Sequence, residues 1–456
     1  MSSIVFPLIT LPYVSRILQP SGFGKVDFAN SIIAIFMMLS SLGIPTYGIR
    51  LVAQCKNDVE QLSKNVKQLL LLQIIGIIIC YIFFYICLFI NAKMANEKLL
   101  FIVLSISILM NGIGIDWFFS GLEEYGYITI RNGVLQIVSV CLILIFVNKP
   151  SDYVLYAAIT VLSSVGANVL NLFYLRKRID FRCKAQINLW PHIKGSIVFF
   201  LLILAGTALT KLESIMIGAL LSYKDVGIYA AANKIIQCVI LVFSGVGMTF
   251  LPTLISLMKT NQSEFNKLLD RSISLMYLVT VPTCIVLYTL APQIVDFVFG
   301  GKFQSSITPF RILVFIIFVT TVNVVIGNQI LIASHKEKYA AIPLLAGVVL
   351  SPLLNYILIP LYGVNGAAAT LLTTSLVSAI IQLCLVKKIH DFKLLSPNHY
   401  KYVFSSIVML VIVLCLNYLH VLILVNILTA ILCYIIMLYI MRDYFVLSIL
   451  RKIRNI

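Results

Sequence analysis

The chain has 456 residues, 61% of them hydrophobic and 11% charged, with a formal net charge of +17 and a mean hydropathy of +1.03. Such a composition cannot cover a soluble particle of this size with charge, whereas repeated apolar runs long enough to cross a bilayer fit it directly. The basic excess lies in short connections between apolar runs, which points to anionic lipid and topology control and gives no nucleic-acid partner.

The first apolar segment, Met1–Leu18, contains Pro7 and Pro12 and reaches Arg16 near its end. It starts without a basic region or a small-residue cleavage site, so a removable signal peptide is not expected. Against a need of about 20 residues per crossing it is short for a span. Gln19–Lys25, with Pro20, Gly22 and Gly24, reads as a turn. Further spans are predicted over 26–47, 68–90, 98–118, 131–148, 152–175, 195–219, 226–250, 272–292, 306–332, 339–360, 364–386, 401–419 and 421–441. The expected fold is an all-α polytopic membrane protein of about fourteen transmembrane helices. They divide into a six-helix lobe over 1–192, a second over 193–388, and two C-terminal helices with a tail over 389–456.

The balance of Lys and Arg sets the orientation. With the N-terminus in the cytoplasm, the inside connections hold 24 basic residues, and the outside holds seven: Arg16, Lys25, Lys93, Lys98, Lys149, Lys224 and Lys302. Both termini are therefore expected inside. Trp117 and Trp190 fall at the inferred inner boundaries, where interface aromatics belong.

A weak internal similarity joins the halves. Gly24, Ala29, Asn30 and Ile32 match Gly227, Ala232, Asn233 and Ile235 at an offset of 203 residues. Both stretches open the second span of a six-span unit, which implies a parallel repeat. Small residues also recur in membrane helices for packing alone.

Ionisable residues inside apolar runs are costly unless they are paired or line water. Two long segments between Ser196 and Met248, broken around Leu221–Asp225, carry Lys211 and Glu213 in the first and Lys234 in the second. Arg311 lies in the outer part of another span. Two residues apart, Lys211 and Glu213 point to different sectors of one helix, so the surplus is positive. A cavity lined by Lys211, Lys234 and Arg311, with Arg16 and Lys25 near its rim, would attract a multiply anionic group such as a pyrophosphate. The plainer reading is that these side chains snorkel to the headgroups or form structural pairs. Glu213 serves equally well as a counter-charge or as an ion-coupling group.

At the inner side, Pro45-Thr46-Tyr47-Gly48-Ile49-Arg50 ends the second span. Arg50 there either meets an entering substrate or sets topology. Asp116 ends the fourth span and has Arg131 or Arg50 as a partner, with gating of an inner mouth as the functional alternative. The ten cysteines and five histidines show no ligand spacing, so neither a metal nor a catalytic residue is expected. The chain also lacks a phosphate-binding Gly-rich loop ending in Lys-Ser or Lys-Thr. No cofactor is expected, and energy for transport would come from an ion or substrate gradient.

Several stretches together carry a resemblance. They are Pro7-Leu8-Ile9-Thr10-Leu11-Pro12-Tyr13-Val14-Ser15-Arg16 with Gly22-Phe23-Gly24, Gly43-Ile44-Pro45-Thr46-Tyr47-Gly48-Ile49-Arg50, Asp116-Trp117-Phe118-Phe119, Tyr127-Ile128-Thr129-Ile130-Arg131-Asn132, and Glu213-Ser214-Ile215-Met216-Ile217-Gly218 with Gly227 through Ile235. In this order, and over nearly the whole chain, the sequence resembles a bacterial polysaccharide flippase of the Wzx type, within the multidrug/oligosaccharidyl-lipid/polysaccharide exporter superfamily. The resemblance implies an inner-membrane protein that moves an undecaprenyl-pyrophosphate-linked sugar repeat unit from the cytoplasmic to the periplasmic leaflet, for O-antigen or a related polysaccharide. It implies two lobes around a cationic cavity with alternating access, the lipid-linked oligosaccharide and membrane lipids as partners, and work alongside a polysaccharide polymerase and a chain-length regulator. Glu213 stands where the family often has Asp, and Lys211 where it is more often uncharged. A monomer is expected, because the cavity lies between lobes of one chain.

Two competing functions make different demands. A multidrug or small-molecule exporter of related fold should have an anionic binding region, and the positive surplus opposes it. A membrane polysaccharide polymerase should have a substantial outer loop, and the outer connections here are short, the longest being about 293–305.

Overall fold

The computed structural model describes residues 2–175, 178–179, 188–334, 336–390, 399–419, 421–443 and 445–447. Cys183, His335, His420 and parts of the expected inner loops and tail lie outside them. Among the described residues, thirteen helical stretches are long and apolar enough to cross a membrane. The first, Ile9–Cys55, holds two of the expected spans, and the other twelve each coincide with one. The protein is thus an all-α polytopic membrane protein.

Helix α1 (Ser2–Ser41) is interrupted at Gln19, whose φ of 58° and ψ of 173° are not helical. Pro20 follows, and its ring pushes the preceding residue out of the α region toward an extended ψ, while the positive φ of Gln19 is one that non-glycine residues rarely adopt. A straight helix at 1.5 Å per residue would set Phe6 and Asn30 about 36 Å apart. Instead both line one cavity, so the chain doubles back at Gln19. The expected turn at 19–25 therefore tightens to its first residue, and the prolines inside the first segment do not stop it from being helical.

The described chain divides into two compact units, Met1–Ala230 and Ala231–Ile456. The first contains α2 (Ile44–Cys55), α3 (Val59–Ile90), α4 (Ala92–Asn96), α5 (Lys98–Gly112), α6 (Asp116–Gly121), α7 (Tyr125–Phe146), α8 (Tyr153–Val165), α9 (Asn168–Leu175), α10 (Trp190–Leu220) and the start of α11 (Tyr223–Met248). Helix α1 packs on α3, α5, α7, α8 and α10. Thus α10, the first span after residue 192, packs with the helices that precede it.

Lipid is as apolar as leucine, so close backbone approach and polar contacts between helices take over from hydrophobic burial. At Gly24 a Cβ would run into the carbonyl of Tyr223, and at Gly227 into the carbonyl of Pro20. Only hydrogen lets α1 and α11 cross this closely. Lys93 bridges to the end of α10, donating to the carbonyls of Gly218 (2.5 Å), Ala219 (3.0 Å) and Leu221 (3.1 Å). Those carbonyls lack helical donors, and the ammonium satisfies them. At the opposite end, Tyr47 contacts His192 Nδ1 at 3.2 Å while His192 Nε2 contacts Gln68 at 2.6 Å, tying α2 to α10 and α3.

Trp117 corrects one expectation. It is 3% exposed and packs on Gly48 of α2 in a cluster with Ile44, Val66, Phe118 and Phe119, so it is core rather than interface. Trp190 is 71% exposed.

The second unit holds the rest of α11 with α12 (Leu251–Thr260), α13 (Gln262–Thr289), α14 (Ala291–Phe299), α15 (Ile307–Val322), α16 (Gln329–Ala333), α17 (Ala341–Tyr362), α18 (Val364–Lys387), α19 (Tyr400–Tyr418) and α20 (Ile423–Ile440). Helices α19 and α20 both pack on α13, and Tyr434 donates to the Leu278 carbonyl at 2.9 Å. Asn323–Asn328 forms a π-helical turn between α15 and α16.

Candidate functional site

Asp116 and Arg131 come together in the first unit. Arg131 Nη2 donates to Asp116 Oδ1 at 2.8 Å, Asn171 donates to the same oxygen at 2.7 Å, and the Arg131 guanidinium also donates to Asn171 Oδ1. Of the two partners open to Asp116, the structure selects Arg131, whose side chain is 4% exposed and therefore costly to leave unpaired. Tyr127 and Tyr174 stack beside this network with centroids 4.9 Å apart, and the Arg131 guanidinium lies 5.5 Å from the Tyr127 ring centroid. Two further ion pairs, Arg178–Glu124 (2.6 Å) and Lys56–Glu123 (3.4 Å), tie the loop after α6 to its neighbours.

Lys25 is committed to Glu97 Oε1 at 2.5 Å and sits over the Tyr153 ring, whose hydroxyl donates to Glu97 Oε2 at 2.8 Å. Arg16 and Arg50 are exposed. Glu213 is fully buried on α10, and Ser214 beside it donates to Asp27 at 2.9 Å. Both acids lie within electrostatic reach of the buried Tyr229. Asp27 and Glu97 were not anticipated as site residues, because each is a lone acid whose partner comes from a distant helix.

The three in-span cations fall in both units. Lys211 on α10 is half-buried in the first. In the second, Lys234 on α11 is half-buried, and Arg311 donates to the Tyr288 carbonyl at 3.3 Å with its guanidinium over that ring. Among the described residues neither Lys211 nor Arg311 has a carboxylate within ion-pair distance.

The first unit also holds a half-open chamber of about 480 Å³, with Phe6 and Asn30 of α1, Ser107 of α5, Asn132 and Gln136 of α7, and Val161 and Ser163 of α8 in its wall. Sequence inspection missed it, since its polar residues are spread over four helices and lie within otherwise apolar runs. Among the described residues, no group of three or more His, Cys, Asp or Glu side chains is placed to hold a metal ion.

Residues 1–258 match the family described as polysaccharide biosynthesis protein. The "Putative O-antigen transporter" of Escherichia coli (strain K12) is 22% identical over 392 residues, covering 85% of this chain and 94% of that protein. Among solved structures, lipid II flippase MurJ in its inward closed conformation superposes with a TM-score of 0.68 at 16% identity, covering 96% of this chain and 99% of its own. An inward-facing multidrug resistance transporter of the MATE family, in the MOP superfamily, gives 0.65 at 15% identity over 85% of this chain and 94% of its own. At these identities the structural matches establish fold alone.

Proposed function

The chain belongs to the polysaccharide biosynthesis protein family and is a MOP-superfamily membrane transporter, and on that premise we propose that it flips undecaprenyl-pyrophosphate-linked oligosaccharide repeat units from the cytoplasmic to the periplasmic leaflet of a bacterial inner membrane. The observation that carries this reading is the in-span charge balance: Lys211 and Arg311 sit in apolar helices without a carboxylate partner among the described residues. Uncompensated cations at such depth are costly unless an anion or water meets them, and a pyrophosphate supplies the anion. Near-full-length similarity to a protein named for O-antigen transport supports the same substrate class.

In this mechanism the head group travels through a hydrated path while the polyprenyl tail stays in lipid, and the protein alternates between inward and outward access. Lys211, Lys234 and Arg311 offset the desolvation of the pyrophosphate, and Arg50 meets the substrate from the cytoplasmic side. Glu213, in its buried setting, is the group proposed for ion coupling. No covalent bond changes.

The test is acute depletion of the protein while the lipid-linked glycan is quantified and its outer-leaflet share is read with a glycan probe. Accumulation on the cytoplasmic side, reversed by the wild-type chain but not by Lys234→Glu or Arg311→Glu, supports flipping. Normal outer-leaflet appearance with loss of longer polymer moves the assignment to a step after translocation.

A further inference from the structure

The polar chamber of the first unit has a ligand chemistry of its own. Its wall residues are level with one another. Asn30 lies eleven residues from the turn at Gln19, Ser107 nine from the start of α5, Gln136 ten from the end of α7 and Ser163 ten from the start of α8. Those four helix ends meet on one side: Gly22 touches Pro150, Tyr13 reaches the Val147 carbonyl and Tyr153 holds Glu97. At 1.5 Å per residue the chamber sits about 15 Å below that side, half the thickness of a hydrocarbon core of about 30 Å.

At that depth a polar side chain normally finds a protein partner, because lipid offers none. Here, among the described residues, the side chains of Asn30, Ser107, Gln136 and Ser163 have no hydrogen-bond partner within the protein. Asn132 accepts from Arg131 through Oδ1, which leaves its amide hydrogens for the chamber. Among the described residues the wall carries hydroxyls and carboxamides beside Phe6 and Val161, and no ionised group. Such a set does not suit a phosphate, which calls for cations, or an organic cation, which calls for a carboxylate. It suits ligands that both donate and accept at many neutral positions. Phe6 adds an aromatic surface, and the volume lies in the range of about 300–1,000 Å³ typical of small-molecule sites.

We infer that this chamber receives uncharged sugar rings of the lipid-linked substrate, their hydroxyls bound by Asn30, Ser107, Gln136 and Ser163, apart from the cations that take the pyrophosphate. The inference rests on the flippase reading and divides the head group by chemistry: charge goes to Lys and Arg, and hydroxyls go to amides and serines.

The test uses the full chain in lipid nanodiscs and native mass spectrometry with two probes, undecaprenyl pyrophosphate and the lipid-linked oligosaccharide that accumulates in cells depleted of this protein. The wild type should prefer the glycosylated probe by about tenfold or more, the scale of losing two or three hydrogen bonds. Asn30→Leu with Gln136→Leu keeps the chamber's bulk and should cut the preference to about twofold, with bare undecaprenyl pyrophosphate bound as before. As a second readout, thiol labelling of Gln136→Cys should be blocked by the glycosylated probe and not by the bare one. A double variant that keeps its full preference, or labelling that both probes leave untouched, overturns the chamber and leaves the flippase reading standing. Failure of the wild type to bind either probe overturns the flippase reading and the inference with it.

Discussion

Asp116 and Arg131 are bound to each other at 2.8 Å, and Asn171 clamps both by donating to the carboxylate and accepting from the guanidinium. The pair locks α6, α7 and α9 together, and its guanidinium is almost wholly withdrawn from solvent. Arg131→Ala removes a partner from the half-exposed Asp116 carboxylate and from the Asn171 amide, and is expected to cost about 1–2 kcal/mol, read as a lower temperature of aggregation in detergent. The double variant Asp116→Ala with Arg131→Ala should lose less than the two single losses added together. Strict additivity would show that the two residues act separately.

Lys25 faces Glu97 and Tyr153, so its first service is to join α1 to the start of α5 and α8. Lys25→Glu should impair both yield and transport, and Lys25→Glu with Glu97→Lys should restore most of both. Restored yield without restored transport would assign Lys25 to the substrate path.

Lys211 and Arg311 are half-buried cations on α10 and α15, whereas Lys302 is exposed in the short helix before α15. Charge reversal at Lys211 or Arg311 should reduce flipping by about tenfold or more, the scale of losing a charge-assisted bond to phosphate. Reversal at Lys302 should change it by less than about twofold. Equal losses at all three positions, measured as outer-leaflet glycan at matched protein levels, would remove the cationic path.

Gly24→Ala forces a methyl group into the Tyr223 carbonyl, and Gly227→Ala forces one into that of Pro20. Each should cost about 1–3 kcal/mol through displaced backbone. Thermal aggregation in detergent reads this directly. The double variant should fall short of the sum, because once the helices separate both methyl groups are accommodated.

The spans and the break near Gln19 were legible in the sequence because each is a property of consecutive residues. Gln19–Pro20 announced a break, and the helix does break there. The contacts that join helices were not legible. Tyr47, Gln68 and His192 meet across 124 and 145 residues of chain, and nothing in the neighbourhood of any of them names the others. Trp117 read as an interface residue because tryptophan belongs there on average, but Gly48 opens a slot for the indole in the core. The chamber was hidden for a related reason. A lone Asn or Ser in an apolar run looks like packing, and only the fold brings four such positions to one depth.

The crossing of Gly24 with Gly227 pairs each residue with its own counterpart at the 203-residue offset, and so do the carbonyls they meet, Pro20 and Tyr223. A contact between like positions is what two identical subunits make across a twofold axis. Here one chain makes that contact with itself, so each half of the crossing sets the same steric limit on the other, and a side chain added at either glycine meets a backbone carbonyl at the equivalent place.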